Sequence, residues 1–62
     1  MAGDDLQTLV HDLRTPLTLV EGFSDLLVRR GAELPAPERD KYVQRIATAA
    51  HEMRELFDRT RL

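Results

Sequence analysis

Two histidines, His11 and His51, are the side chains of this 62-residue sequence best suited to nucleophilic chemistry near neutral pH, since it has no cysteine. A histidine attacks an electrophile only through an unprotonated ring nitrogen, and an ordinary pKa of ~6.5 leaves one available. Attack through one nitrogen builds positive charge on the ring, which a carboxylate near the other nitrogen stabilises. The residues around His11 meet these needs. Asp12 follows it directly, Arg14 and Thr15 stand at i+3 and i+4, and Pro16 comes next. On a helix the i+3 and i+4 side chains share the histidine's surface one turn away. His51-Glu52-Met53-Arg54 copies only the opening of this arrangement, because Glu55-Leu56 replaces the Thr-Pro pair. A zinc-protease helix would need a second histidine four residues after His51. Glu55 stands there instead and is expected to pair with nearby arginines.

Both segments must then be helical, and the apolar pattern predicts it. Ten leucines against four valines and one isoleucine favour helix over strand. Leu6, Val10, Leu13, Leu17, Val20 and Leu27 recur at alternating spacings of four and three, with Ser24 in the one polar slot, and Leu9, Leu19, Phe23 and Leu26 widen the stripe. Tyr42, Ile46, Ala49, Met53 and Leu56 repeat the pattern, widened by Val43, Ala50 and Phe57. The opposite face of the first segment reads Asp4, Thr8, His11, Thr15, Thr18, Gly22, Asp25 and Arg29, so His11 is expected to face solvent. The phase runs through Pro16 without a slip, which predicts one continuous kinked helix rather than two short ones. Between the segments, Gly31 takes the position of a C-cap glycine after Arg29 and Arg30, and Pro37 suits the first turn of a second helix. The expected elements are a helix over 5–30, a hairpin loop over 31–36 and a helix over 37–61, within a single domain spanning 1–62.

Size and charge complete the frame. A chain this short buries little surface alone and normally needs a disulfide, a metal or a partner. Without cysteine, and with two histidines, it has neither a disulfide nor a thiolate metal site. The stripes are broader than a two-stranded seam needs, so one antiparallel hairpin would leave apolar surface in water. The expected fold is therefore all-α: a helical hairpin that homodimerises into a four-helix bundle. A hydrophobic content of 42% argues against disorder. Nine basic and eleven acidic residues are interspersed, which gives no field for nucleic acid or an anionic membrane. No apolar run approaches the ~20 residues of a membrane span, and the first residues have no signal-peptide character.

His11-Asp12-Leu13-Arg14-Thr15-Pro16 resembles the H-box of sensor histidine kinases, found in their dimerisation and histidine-phosphotransfer (HisKA-type) domain. The family pattern is histidine, an acid, an apolar residue, arginine or lysine, threonine or asparagine, and proline, and all six positions match. Leu17-Thr18 and Gly22-Phe23-Ser24-Asp25-Leu26-Leu27 look like the stretch after the box. Ile46-Ala47 and Leu56-Phe57-Asp58 with Arg61-Leu62 look like the second helix. The resemblance implies that His11 accepts the γ-phosphoryl group of ATP from a separate ATP-binding domain and passes it to an aspartate of a response-regulator receiver domain. It implies that Asp12 orients the ring and accepts its proton. It also implies that Thr15 positions a water for hydrolysing the regulator's aspartyl phosphate, while Arg14 is available to contact phosphoryl oxygens. ATP and Mg would be bound by the ATP-binding domain, for which these 62 residues have no room, and no cofactor or metal is expected in the chain itself. The fragment alone is expected to be inactive, to act within a full-length phosphotransferase, and to be cytoplasmic, whether or not its parent is anchored in a membrane. The alternative is a catalytically silent helical module that only dimerises or binds partners. Phosphate acceptance at His11 distinguishes the two.

Overall fold

A computed structural model describes residues 2–60, with side chains from Asp5 onward. Helix α1 spans Ala2–Arg30 and helix α2 spans Ala36–Arg59. A single 3-10 turn at Gly31–Glu33 joins them, and the helices pack against each other as a hairpin. At ~1.5 Å per residue α1 alone is about 43 Å long, close to the 48 Å length of the whole molecule. There is no strand among the described residues.

The elements differ from expectation at their ends. Helix α1 begins at Ala2 rather than at residue 5. Helix α2 begins at Ala36 because the carbonyl of Pro35 already accepts the backbone N–H groups of Glu38 and Arg39, both at 3.0 Å. It ends at Arg59 rather than at residue 61, which lies outside the described residues. Thr60 turns extended, and its hydroxyl bonds the Leu56 carbonyl at 2.7 Å. Gly31 is not a left-handed cap, since no described glycine has a positive φ. It opens the 3-10 turn instead, and its carbonyl accepts from Leu34 N at 3.3 Å and from the Arg39 guanidinium at 3.4 Å.

The broad apolar stripe of α1 divides in two. Leu9, Leu13, Pro16, Val20, Phe23 and Leu27 are buried or half-buried, at spacings of four and three. Tyr42, Ile46, Ala49, Met53, Leu56 and Thr60 form the matching row on α2. Leu9 and Ala49 are its most enclosed members, 4% and 2% exposed. Near the turn the rings of Phe23 and Tyr42 stack with centroids 5.4 Å apart, a geometry worth about 0.5–1.5 kcal/mol beyond area burial. The expected seam through Leu6, Val10 and Leu17 is therefore displaced. These three stay about half exposed, as do Val43 and Phe57 on α2. One neighbouring helix covers only part of so wide a stripe.

Pro16 lies inside α1, which runs through it unbroken as the sequence predicts. Its ring is buried in the seam. With no N–H to give, Pro16 leaves the carbonyl of Asp12 without its helical donor. That carbonyl belongs to an exposed residue, so water can serve it.

Two outcomes follow for stability. A Cβ at Gly31 meets nothing within 4 Å, so Gly31→Ala should raise stability by about 0.4–1 kcal/mol by restricting the unfolded chain. A left-handed cap would instead lose stability on this change, and a denaturant midpoint reads the sign. Ile46→Asp puts a charge into the helix–helix seam and should cost several kcal/mol. An unchanged melting temperature would contradict the packing of Ile46.

Candidate functional site

The packing of α1 on α2 fixes how α1 is turned about its axis. With the Leu9–Leu27 row inward, Thr8, His11, Thr15, Thr18, Gly22, Asp25 and Arg29 are all exposed, as their spacing predicts, with Thr8 and Thr15 bordering the clefts between the helices. The side chain of Asp4, the first member of that stripe, lies outside the described set. The His11 side chain is 85% exposed and that of Asp12 is 45% exposed. Their contact is the site's central feature: His11 Nδ1 lies 3.3 Å from Asp12 Oδ1.

An ionised carboxylate can only accept, so this contact is a hydrogen bond when Nδ1 carries the proton. The lone pair of a neutral ring then sits on Nε2. Arg14 lines a shallow cleft with His11, Leu6, Gln7 and Val10. Its carbonyl accepts a 2.8 Å bond from the Thr18 hydroxyl, a local bond of the type that bends helices. Thr15, one turn after His11, lines two clefts: one with Arg14, Thr18 and Leu19, and one between the helices with Asp12, Pro16, Glu52, Glu55 and Arg59. Asp12 is thus the residue shared between the histidine and the inter-helix cleft.

His51 is exposed on α2 and has no carboxylate on its ring among the described residues. Glu55 makes no ion pair with an arginine among the described residues, contrary to expectation. Arg54 reaches Asp58 instead, at 3.3 Å. No three histidine, aspartate or glutamate side chains converge as metal ligands would among the described residues. No described helix is long and apolar enough to cross a membrane.

Two residues that line these clefts, Pro16 and Arg59, were not legible as such in the sequence. The burial of Pro16 was signalled by the spacing Leu9, Leu13, Pro16, Val20, which is the seam's own rhythm. Arg59 carried no signal, because its place beside Asp12 depends on how the two helices are aligned along their length.

Taken together, the fold and site define a helical hairpin that carries a solvent-facing histidine with a carboxylate 3.3 Å from its ring. Comparison with family models assigns the chain to a family. The His Kinase A (phospho-acceptor) domain matches residues 3–62, and the chain belongs to that family. Comparisons with curated proteins and with solved structures gave no match. Family membership makes this a phosphoacceptor and dimerisation unit of two-component histidine kinases.

Since His11, Asp12 and Thr15 lie outside the helix–helix seam, His11→Gln, Asp12→Asn and Thr15→Ala should each change stability by less than about 0.5 kcal/mol. Chemical denaturation of the three variants checks this. A larger loss at any one would make that residue structural.

Proposed function

We propose that His11 is the phosphorylated residue and that the domain works as a homodimer. The observation that carries the reading is the Asp12 carboxylate on His11 Nδ1, which leaves Nε2 as the nucleophile. The Nε2 lone pair attacks the γ-phosphorus of ATP held with Mg by a separate ATP-binding domain. The bond to the β–γ bridging oxygen breaks and ADP leaves. The ring, now phosphorylated on Nε2 and protonated on Nδ1, is stabilised by the Asp12 carboxylate. The phosphoryl group then passes to an aspartate of a response-regulator receiver domain. Arg14 shares a cleft with His11 and can offer N–H donors to phosphoryl oxygens. The Thr15 hydroxyl is placed for a different reaction, holding the water that hydrolyses the regulator's aspartyl phosphate.

The half-exposed row of Leu6, Val10 and Leu17, with Val43 and Phe57, supports a second copy as the dimer partner. Two hairpins joined through these residues make a four-helix bundle with both His11 rings outside.

The two reactions can be separated by mutation in a chain supplied with an ATP-binding domain and a regulator. His11→Gln should abolish an acid-labile, base-stable phosphoryl group, and His51→Gln should leave it unchanged. Asp12→Asn should slow phosphorylation by about 10²–10⁴-fold, whereas Thr15→Ala should lose only phosphatase activity. Loss of His11 phosphorylation in Thr15→Ala would overturn this division. Light scattering should report a dimer whose melting temperature rises with concentration. A monomer with concentration-independent melting would remove the bundle.

A further inference from the structure

Arg59 stands out on the α2 side of the site. Each of the three arginines Arg29, Arg30 and Arg54 has an acidic partner close by in sequence: Asp25 at 3.2 Å, Glu33 at 3.6 Å and Asp58 at 3.3 Å. Arg59, like Arg14, Arg39 and Arg45, has no ion pair within 4.0 Å among the described residues. It nevertheless lines both clefts between α1 and α2 at the His11 end. One, of about 420 Å³, also holds Asp5, Thr8 and Thr60. The other, of about 320 Å³, holds Thr15, Glu52 and Glu55. Asp12 is the one carboxylate that borders both clefts with Arg59, since Asp5 borders only the first and the two glutamates only the second.

The Asp12 carboxylate needs something to orient it. Its contact with His11 is long, at 3.3 Å, beyond the usual range for a nitrogen–oxygen hydrogen bond. The side chain is about half exposed, so water competes for both oxygens. One oxygen, Oδ1, serves His11, and the residue also borders both inter-helix clefts. A guanidinium presents rigid, paired N–H donors that suit a carboxylate, and it stays charged at all working pH values.

We propose that Arg59 is a positioning residue for His11, acting across the hairpin by holding the Asp12 carboxylate so that its other oxygen stays on His11 Nδ1. The chain is then Arg59 to Asp12 to His11, with α2 contributing to the orientation of a nucleophile on α1. The consequence is a bias in the neutral ring: the proton is kept on Nδ1 and the lone pair on Nε2. This deepens the reading of His11 as acceptor and rests on it, but the tautomer bias exists without any phosphoryl transfer, so the two can fail separately.

The test is nitrogen-15 NMR of the histidine rings in the full chain at alkaline pH, where both rings are neutral, with exposed His51 as the internal reference. In the parent chain His11 should hold a larger Nδ1–H share than His51. In Arg59→Gln that share should fall to the His51 ratio, and in Arg59→Lys, which keeps the charge, most of it should remain. In an Asp12→Asn background, Arg59→Gln should cause no further change. Far-UV dichroism confirms folding. If Arg59→Gln loses helicity, Arg59→Met takes its place, because it keeps the apolar stem and removes only the donors. An identical His11 tautomer ratio in the parent and in the folded Arg59 variants would overturn the proposal. An equal fall on Arg59→Gln with and without Asp12→Asn would also overturn it, because the effect would then not pass through Asp12. Phosphorylation of a His11→Gln chain would instead overturn the acceptor reading and leave the tautomer result standing.

Discussion

Everything in this hairpin depends on how α1 is rotated about its own axis, and the seam with α2 sets that rotation. Leu9, Leu13, Pro16, Val20, Phe23 and Leu27 meet a row on α2 centred on Ala49, whose small side chain lets the helices approach closely. Turning α1 by a single residue position, about 100°, would bury part of the His11 stripe and expose the core row. His11 is therefore kept in solvent by the residues of the seam. Apolar burial supplies the force, and the stacked Phe23 and Tyr42 rings fix the end nearest the turn. The exposed Asp25–Arg29 and Arg54–Asp58 pairs add little, since surface ion pairs on helices contribute only about 0.3–0.5 kcal/mol each.

Much of this was legible from the residues. Two leucine-rich segments with a four–three rhythm, separated by Gly31 and two prolines, describe a helical hairpin almost completely. The polar stripe through His11 is enough to put that side chain in solvent. The choice between the two halves of the α1 stripe was not legible. Leu6, Val10 and Leu17 match the rhythm as well as Leu9, Leu13 and Pro16 do, and only the position of α2 separates them. Proline is also discounted as a core residue inside a helix, because its backbone cost is obvious while the apolar surface of its ring is easily overlooked. The Gly31 cap failed for a different reason. A glycine after two basic residues suits a left-handed cap, yet a carbonyl served by both Leu34 and Arg39 stabilises a 3-10 turn instead.

The candidate site divides in the same way. The adjacency of His11 and Asp12 is written in the sequence, and so is the neighbourhood of Arg14 and Thr15 on a helix. The sequence does not say which of these side chains share a cleft. The structure sets Arg14 in one cleft with His11 and in another with Thr15, and it sets Thr15 in a third with Asp12. Residues one apart on a helix diverge by about 100°, so neighbours in sequence serve different sides of the same turn. Asp12 is the exception, since it reaches both the ring and the inter-helix cleft. Contacts across the hairpin depend on the alignment of the two helices, which the connection from Gly31 to Pro35 determines and no periodicity encodes.

The missing donor at Pro16 also matters for motion. Helices resist opening because each rung of hydrogen bonds supports the next, and removal of one rung divides α1 into two stretches whose fluctuations are less tightly coupled. The division falls at the carbonyl of Asp12, in the turn that bears the histidine. Backbone amides in that turn should exchange with solvent more readily than those from Val20 to Leu27, where the ladder is complete. A histidine displayed on such a turn can tilt its ring by small amounts. Because the soft rung lies in the same turn, that tilt costs little local free energy and leaves the seam with α2 undisturbed.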